Sequence, residues 1–294
     1  MERPEAVHVP VLLEEAMSLL SVREGGIYVD GTVGLGGHAA EIVSRLGAGG
    51  RLIGIDRDEE ALRYAGVRLG NGRVILRKGT FSMVRNILQE HSIGAVDGVL
   101  LDLGVSMLQM RDRMRGFSFA SHERLDMRMD ALGPVTAWDV VNTAAESDIE
   151  RILVEYGEER QARRIAGAIV NGRRKGPIDT CSDLADIVAR AIPRRGRIHP
   201  ATKTFQALRI EVNDELGELR RGLDASVAVL KPGGRLCVIS YHSLEDRIVK
   251  RFLRAQERDG TVRILTKKTV KPTLRETRIN PSSRSAKLRG AERI

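Results

Sequence analysis

The sequence is poor in aromatic residues and cysteine, and it has no long hydrophobic run. Aromatic residues make up 3% of the 294 residues, so the composition shows no stacking platform for single-stranded nucleic acid. The two cysteines, Cys181 and Cys237, lie far apart with no His or Cys at metal-ligand spacing, which indicates free thiols and no metal site. No apolar run approaches about eighteen residues and no secretory signal is visible, so we expect a cytoplasmic protein without a membrane span.

Charge is distributed unevenly along the chain. The net charge is +9, but the segment from Arg247 to Ile294 contains 15 Lys and Arg against 4 Asp and Glu, which gives +11 there and leaves −2 for residues 1–246. A one-sided basic segment is typical of a protein that binds a polyanion, and without a lipidation signal nucleic acid is favoured over membrane. The alternative is a solvated basic helix and tail without a partner.

Residues 27–56 predict a strand, a glycine-rich turn, a helix and a second strand that ends on an acid. Four glycines lie within residues 31–37, and Asp56 closes the second strand. Glycines allow the backbone to approach a ligand closely, and a carboxylate after the next strand can accept hydrogen bonds from ribose hydroxyls. The stretch therefore predicts binding of an adenosine-containing cofactor.

Two cofactors compete for this pattern. Residues 34–39 also match the dinucleotide fingerprint G-x-G-x-x-G/A, which would indicate NAD. Asp30 ends the first strand just before the glycines, where its carboxylate would repel a pyrophosphate but could pair with the cationic amine of a methionine moiety. Asp30 therefore favours S-adenosylmethionine. The structural alternative is that Asp30 only caps the turn and Asp56 only begins a helix.

Strands and helices alternate over the rest of the first third, which predicts parallel strands with crossover connections. We expect helices over 58–68 and 81–90 and strands over 74–78 and 98–102. The alternation returns with a turn at 231–234, a strand over 235–240, a helix over 244–256 and a terminal pair of strands over 261–266 and 285–288. Residues 267–283 are polar and basic, and we interpret them as a mobile surface loop.

A helical insertion separates the two parts, so we predict a domain from 1–109 with 216–294 and a second domain over 110–215. Ser147 to Glu150 has the pattern of a capping box, and apolar residues recur at helical spacing over 162–169 and over 184–191, before Pro193. The basic clusters 173–175 and 194–197 adjoin Gly or Pro and are predicted on loops, where they contact phosphates or simply carry helix-end charge.

Nine stretches of the chain resemble the bacterial 16S rRNA (cytosine-N4)-methyltransferases, the RsmH or MraW family, nearly from end to end. They are His8-Val-Pro-Val-Leu-Leu, Tyr28-Val-Asp-Gly-Thr with Gly34-Leu-Gly-Gly-His38, Gly54-Ile-Asp56, Leu101-Asp102-Leu-Gly-Val-Ser106, Arg115-Gly-Phe-Ser-Phe119, Leu125-Asp-Met-Arg-Met129, Tyr156-Gly-Glu-Glu-Arg160, His199-Pro-Ala-Thr-Lys-Thr-Phe-Gln206 and Ser240-Tyr-His-Ser-Leu-Glu-Asp-Arg247. The resemblance implies an α/β fold, namely a class I, Rossmann-like methyltransferase sheet with an inserted helical domain. It also implies S-adenosylmethionine as donor and a cytidine of the ribosomal decoding region as acceptor.

By position, the resemblance also implies a set of cofactor contacts: Gly36, Gly37 and His38 on the methionine carboxylate, Asp56 on the ribose, Phe81 on the adenine, and Asp102 and Gln109 on polar edges of the cofactor. Each has a structural alternative, such as a helix-start cap for His38, a core position for Phe81 and a turn former for Asp102. The chain departs from the family at Met107-Leu108, where the family has Ser-Pro, and so loses a fixed φ beside Gln109.

The acceptor chemistry points to the ends of two strands. An exocyclic amine must be positioned and must lose a proton, and other exocyclic-amine methyltransferases use an Asn or Asp with two prolines, which this chain lacks. Asp102 is the first candidate for accepting the proton and His242 the second, although His242 could also cap a helix or orient a phosphate; Ser106 and Tyr241 are further candidates.

Two other functions compete with RNA methylation. A non-catalytic RNA-binding ribosome-assembly factor would have lost the cofactor carboxylates, and an NAD-dependent dehydrogenase would have no polyanion patch. The retained carboxylates and the basic segment favour a methyltransferase whose partner is 16S rRNA, within the small ribosomal subunit. The sequence leaves open whether the enzyme is a monomer or a homodimer.

Overall fold

The structure is a computed structural model, and it describes residues 10–70, 72–192 and 199–294. Pro193, the basic cluster 194–197 and the beginning of the His8 motif lie outside the described residues. Within them the chain forms two compact units: unit 1 comprises Met1–Gly104 and Leu216–Ile294, and unit 2 comprises Val105–Glu215. The division that we predicted, at 109/110 and 215/216, differs from these units by five residues at the first boundary and coincides at the second.

The described helices and strands share an alternating order in unit 1 and an all-helical order in unit 2. The helices are α1 (Leu13–Leu20), α2 (Gly37–Arg45), α3 (Glu59–Leu69), α4 (Val84–Glu90), α5 (Met107–Arg111), α6 (Ala137–Thr143), α7 (Glu146–Gly157), α8 (Ala162–Arg173), α9 (Cys181–Ala191), α10 (Thr202–Asn213), α11 (Glu215–Val229), α12 (Ser243–Arg258) and α13 (Leu274–Ile279). The strands are β1 (Ile27–Asp30), β2 (Arg51–Asp56), β3 (Val74–Lys78), β4 (Val96–Asp102), β5 (Leu230–Ser240), β6 (Val262–Ile264) and β7 (Lys287–Arg293).

Unit 1 is built on a seven-stranded sheet with the order β3-β2-β1-β4-β5-β7-β6. Strands β1 to β5 are parallel, whereas β7 runs antiparallel to both β5 and β6. The predicted parallel sheet and the predicted terminal strand pair are therefore confirmed. The strand order reverses between β1 and β4, and ligands of open α/β sheets bind beyond the carboxyl ends of the strands at such a point.

Helices cover both faces of this sheet. On one face, buried residues of α1, α2 and α3 pack with Leu100, Ile239 and Leu288. On the other face, α4, α11 and α12 pack with Val99, Val238 and further strand residues. Because both faces are covered, the central strands are apolar where the sheet is deepest, as the unbroken burial of residues 98–101 in β4 and 236–240 in β5 shows.

Phe81 sits in a tight part of this core. A Cβ at Gly31 would lie 2.5 Å from Leu101 Cδ2 and 2.9 Å from Phe81 Cβ, and a Cβ at Gly222 in α11 would overlap the Phe81 ring. Glycine at these two positions therefore lets β1 and α11 approach the aromatic ring. Residues 81–83 form a 3₁₀ helix before α4, so the single helix that we predicted over 81–90 has a tighter first turn.

Unit 2 has its own hydrophobic core, formed by its helices together with residues such as Leu125, Met127 and Ile178. Thr136 and Thr180 close capping boxes at the beginnings of α6 and α9. The capping box predicted at Ser147 is wrong: α7 begins at Glu146, and Ala145 is its N-cap without a side-chain hydrogen bond. None of the described helices in either unit has the length and apolar character that a bilayer crossing requires.

The basic cluster 173–175 begins at the end of a helix, and its first residue has a structural role. Arg173 is the last residue of α8, and its guanidinium donates hydrogen bonds to the carbonyl oxygens of Val141 (2.8 Å) and Ala144 (2.7 Å) at the carboxyl end of α6. A cation in this position satisfies carbonyl groups that the helix leaves without partners. Arg173 therefore connects two helices of unit 2.

The interpretation of residues 267–283 as a mobile surface loop is wrong, because this segment contains regular structure. It includes α13 and a 3₁₀ helix over Pro281–Ser285, and Val270 pairs with Leu288 of β7. Glu276 of α13 accepts a hydrogen bond from the Leu12 N–H (2.7 Å), across 264 residues of sequence. No local pattern in a polar segment encodes such a long-range contact.

The packing against Phe81 gives a test of the fold. We expect Gly222→Ala to lower the free energy of unfolding by about 1–3 kcal/mol, because the new methyl group overlaps a ring that is itself confined by Gly31. Urea denaturation would measure the change. Gly66→Ala in α3 is the matched control, since its Cβ would only reach ordinary contact with Leu76 at 3.6 Å, and it should be neutral or stabilising by up to about 1 kcal/mol. Equal effects of the two substitutions would contradict this account.

Candidate cofactor and catalytic site

The glycine turn leads from β1 into α2 through left-handed backbone. Gly34 and Gly36 have φ angles of +49° and +77°, and Gly36 is the N-cap of α2. The Gly36 N–H donates to the Val33 carbonyl (2.8 Å), so it is used inside the turn. Gly37 and His38 are the first residues of α2, where N–H groups have no partner within the helix. Three N–H groups were predicted to bind the cofactor. The Gly36 N–H is used by the turn, whereas those of Gly37 and His38 are used by neither the turn nor the helix.

Asp56 fixes the same turn from the end of β2. One carboxylate oxygen accepts the Gly34 N–H (2.8 Å) and the other accepts the Asp58 N–H (2.9 Å). Burial raises the pKa of Asp56, while these two N–H groups act in the opposite direction. Each carboxylate oxygen has a second lone pair, so Asp56 can still accept hydrogen bonds from a diol. The alternative, that Asp56 only begins a helix, is incomplete because Asp58 is the N-cap of α3.

Asp30 is buried at the end of β1, with 1% of its surface exposed. It accepts one hydrogen bond, from the Thr32 N–H at 3.2 Å. Burial raises the pKa of Asp30 to about 7; His38 and the Thr32 N–H lower it, and the charges of Asp102 and Asp56 add to the rise. A carboxyl group of this kind holds a proton over much of the neutral range unless a cation binds beside it.

Asp102 ends β4 and is held by residues of two other segments. The Tyr241 hydroxyl donates to Asp102 Oδ1 (2.8 Å), and the Asp102 N–H donates to Thr32 Oγ1 (2.7 Å). Burial raises the pKa of Asp102 to about 7; the Tyr241 hydrogen bond lowers it and the charge of Glu245 raises it. Tyr241 itself has a pKa well above its ordinary value, because it is buried beside Asp102.

His38 points into the same cluster from α2. Its Nε2 lies 2.9 Å from the Val11 carbonyl oxygen and its Nδ1 lies 3.6 Å from Asp102 Oδ2. Because a carbonyl can only accept, the proton of the neutral ring belongs on Nε2. Burial lowers the pKa of His38, which favours that neutral ring. The interpretation of His38 as a helix-start cap is wrong, since Gly36 is the N-cap and no side chain caps this helix.

His242 has the structural role that the sequence left open as an alternative. It is the N-cap of α12: its Nδ1 accepts from the Glu245 N–H (3.4 Å), and Glu245 Oε2 accepts from the Tyr241 N–H (2.8 Å). This capping box fixes the turn between β5 and α12. It thereby places Tyr241, the residue before His242, against Asp102.

Phe81 and Gln109 do not belong to this cluster of charged groups. Phe81 is 8% exposed and is a member of the hydrophobic core, as its structural alternative predicted. Gln109 belongs to unit 2 and lies in the helix α5 rather than in a loop. Its carboxamide oxygen accepts the Ser106 N–H (3.0 Å), and Ser106 Oγ accepts the Gln109 N–H (3.2 Å). This capping box orders the segment in which the family proline is missing.

Two residues of the cluster, Thr32 and Glu276, were not predicted from the sequence. Thr32 was hidden among the glycines, although its hydroxyl accepts from Asp102 N–H and its N–H donates to Asp30. Glu276 was missed because it falls in the segment interpreted as a loop; its charge acts on both His38 and Tyr241. A threonine between two strand-end carboxylates is a usable signal, whereas Glu276 gives none.

The raised pKa values predict how stability depends on pH. In the folded protein Asp30 and Asp102 keep a proton up to about pH 7, whereas the unfolded chain loses it near pH 4, so the free energy of unfolding should fall between these pH values. Asp30→Asn should remove one of the two contributions and be more stable than the wild type at pH 8 by on the order of 1–3 kcal/mol.

Urea denaturation at pH 5 and pH 8 measures this difference. The exposed Asp224 of α11 supplies the control: Asp224→Asn should keep the wild-type pH dependence. An Asp30→Asn variant whose stability falls with pH as steeply as that of the wild type would show that Asp30 is ionised in the folded protein.

Comparison with known proteins adds the family. A family model described as the MraW methylase family matches residues 5–294. Two curated relatives are named Ribosomal RNA small subunit methyltransferase H. The relative from Symbiobacterium thermophilum is 48% identical and covers 98% of this chain and 96% of its own length. The relative from Carboxydothermus hydrogenoformans is 46% identical, with 99% of each chain covered.

A solved structure from Clostridium thermocellum, described as a candidate rRNA-methylase, has a TM-score of 0.50 to this chain at 13% identity. It covers 98% of this chain and 100% of its own, and at this identity it supports the α/β methyltransferase fold alone. The family resemblance noted in the sequence motifs is confirmed by the full-length matches. The chain belongs to the MraW methylase family.

Proposed function

We propose that the protein methylates the exocyclic N4 amine of a cytidine in the decoding region of 16S rRNA, with S-adenosylmethionine as donor. The family makes it a methyltransferase, and the curated relatives are named as enzymes of the small-subunit ribosomal RNA. The observation that carries the choice of an amine acceptor is Asp102, a partly buried carboxyl group with a pKa of about 7 at the end of β4, held by the Tyr241 hydroxyl.

The glycine turn and its carboxylates fit S-adenosylmethionine, which when bound supplies an electrophilic methyl group. The N–H groups of Gly37 and His38, at the positive end of α2, would bind the methionine carboxylate. Asp56 would accept hydrogen bonds from the ribose diol. In the described part of the chain no Lys or Arg forms an ion pair with Asp30, so a cationic amine would supply the positive charge that this buried carboxylate lacks.

Three further residues complete the proposed cofactor site. Gly36 acts through its left-handed backbone, because its own N–H is used in the turn. Phe81 would contact the adenine with the small part of its ring that is not buried in the core. Gln109 is the third proposed contact, and its capping box with Ser106 fixes the local conformation of its side chain.

The chemistry of the acceptor explains why a proton acceptor is needed. The lone pair of a cytosine exocyclic amine is delocalised into the ring, so the amine is a poor nucleophile until it is positioned and begins to lose a proton. Ionised Asp102 can accept that proton, and a pKa near the working pH suits a general base. Tyr241 positions the carboxylate through its 2.8 Å hydrogen bond.

His242 is the second candidate for the catalytic group. Its Nδ1 accepts the Glu245 N–H in the cap of α12, so it would act through Nε2. The same geometry makes it a positioning residue, because the capping box holds Tyr241 in place. We therefore place Asp102 before His242 in the reaction.

The substrate must present an unstacked base. Sequence-specific RNA recognition targets single-stranded regions whose bases can be turned outward, and enzymes that act on a base take it out of its stack. We propose that unit 2 and the basic segment from Arg247 onward hold the RNA within the small ribosomal subunit, in the cytoplasm.

A non-catalytic RNA-binding assembly factor is the second candidate, favoured by the net charge of +11 after residue 246. The two candidates differ in one product. Mass spectrometry of small-subunit rRNA from cells with and without this gene should show one cytidine that loses a base methyl group when the gene is absent. Unchanged modification together with defective subunit assembly would favour the assembly factor and contradict the enzyme.

The cofactor assignment predicts the effect of removing Asp56. Asp56→Ala should weaken S-adenosylmethionine binding by a few kcal/mol, because charge-assisted hydrogen bonds contribute about 1.5–3 kcal/mol each. Asp56→Asn should weaken it less, since the amide oxygen can still accept the Gly34 N–H or a ribose hydroxyl. Isothermal calorimetry with thermal unfolding as a parallel readout separates lost binding from a disordered turn. Unchanged affinity, or tighter binding of NAD than of S-adenosylmethionine, would contradict the assignment.

The proposed role of Asp102 predicts a pH profile. At saturating cofactor and RNA, kcat should rise from pH 6 to pH 8 as Asp102 ionises around its pKa of about 7. Asp102→Asn should lower kcat by about a hundredfold or more and remove the pH dependence. Tyr241→Phe should move the midpoint to higher pH, because the hydroxyl lowers the pKa of Asp102. An Asp102→Asn enzyme with the wild-type rate and profile would exclude Asp102 as the base.

A further inference from the structure

The basic residues of α12 form a regular stripe on the outer face of the helix. Five of them recur at spacings of three and four residues and are exposed, namely Arg247, Lys250, Arg251, Arg254 and Arg258. At about 100° per residue, these positions fall within an arc of about 100° on the helix surface. The stripe runs from Arg247 to Arg258, and the eleven helical steps between them measure about 16 Å along the helix axis.

The orientation of the stripe is fixed because the opposite face of α12 is apolar and buried in the core. Leu244, Val249 and Leu253 are buried, and Ile248 and Phe252 pack partly against the same core beneath β5, β6 and β7. Because these apolar side chains cannot turn outward, the basic side chains must face away from the sheet. The direction of the charge is therefore set by the core of unit 1.

The carboxylates close to α12 do not neutralise the positive charge in the middle of the stripe. Asp246 binds Arg289 (2.7 Å) and Lys287 (3.1 Å) of β7, and Glu257 accepts the Ile264 N–H (2.9 Å). In the described residues no carboxylate forms an ion pair with Lys250, Arg251 or Arg254. Like charges three and four residues apart destabilise a helix, so this arrangement lowers the stability of the free protein.

The position of the stripe connects it to the candidate site. The helix begins directly after His242, its N-cap, and the preceding Tyr241 binds Asp102. Arg247 is the fifth residue of α12, so the stripe begins near the carboxyl edge of the sheet and extends away from it along one helix. A ligand that follows the stripe would pass from the site across the outer surface of unit 1.

We propose that this face of α12 binds the phosphate backbone of the substrate RNA next to the nucleotide that enters the site. Five positive charges over about 16 Å approach the charge density of one nucleic-acid strand, which carries one phosphate per about 3.4 Å of duplex axis. Guanidinium groups bind phosphates in a bidentate manner, and four of the five residues are arginine. This inference rests on the proposed function and specifies which surface holds the RNA.

The test compares two variants of the full chain with equal loss of charge. The stripe variant carries Lys250→Gln, Arg251→Gln and Arg254→Gln. The matched control carries Arg51→Gln, Arg63→Gln and Arg85→Gln, which are exposed residues on β2, α3 and α4. The probe is an unmodified 16S rRNA transcript, whose binding is measured by fluorescence anisotropy from 50 to 200 mM KCl, with methylation kinetics on the same RNA.

For the stripe variant, we expect the slope of log K against log salt concentration to be shallower by about two. Each of the three lost phosphate contacts on a single strand reduces this slope by about 0.7. At 0.1 M salt this slope corresponds to an increase in Kd of about a hundredfold, with a similar increase in KM for the RNA. Its affinity for S-adenosylmethionine should stay unchanged, and its thermal stability should be equal to or higher than that of the wild type. The control variant should stay within about twofold of the wild type.

Two outcomes would overturn the inference while leaving the proposed function intact. In the first, the stripe variant methylates RNA with the KM and the salt slope of the control variant. In the second, it keeps its RNA affinity but loses binding to vesicles that contain an anionic phospholipid, which would make the stripe a membrane contact. A wild-type protein that transfers no methyl group to this transcript or to small subunits would instead contradict the proposed function.

Discussion

The site depends on three carboxyl groups at the ends of parallel strands, of which Asp30 is buried and Asp56 and Asp102 are partly buried. Asp30, Asp56 and Asp102 are the last residues of β1, β2 and β4, and burial raises the pKa values of Asp30 and Asp102 to about 7. A buried carboxylate needs a cation, hydrogen-bond donors or a proton. Here backbone N–H groups and one tyrosine hydroxyl act as donors, and no Lys or Arg of the described chain neutralises Asp30. The site is therefore suited to a cationic ligand and to accepting a proton.

The rest of unit 1 positions these groups. Glycine at 31 and 222 lets β1 and α11 close around Phe81, and glycine at 36 turns the chain into α2, so that His38 faces Asp102. The capping box of α12 fixes the end of β5, and Tyr241 reaches across to β4. The sheet topology explains this arrangement: β1 and β4 are parallel neighbours at the reversal of strand order, so their carboxyl ends lie side by side at one edge of the sheet.

The basic segment has two different roles in the structure. Lys287 and Arg289 form ion pairs with Asp246, and Arg263 and Arg235 with Glu292, so this part of the charge stabilises the terminal strands. The charge of α12 faces outward instead, because the apolar side of the helix is held in the core. A count of net charge indicates a polyanion partner but cannot separate these two sets, since both have the same composition.

The alternation of strands and helices, the glycine turn between Asp30 and Asp56 and the family were predictable from sequence alone, because strand periodicity, turn glycines and motifs are local. Strand 74–78 and the terminal strand pair follow from such patterns. Local patterns also misled: Ser147 fits a capping box, yet α7 begins at Glu146. Three contacts are visible only in the folded chain: Tyr241 binds Asp102 across 139 residues, Glu276 accepts the Leu12 N–H, and Arg173 caps α6. These contacts depend on which elements pack together, and a pattern of a few residues carries no information about partners so far along the chain.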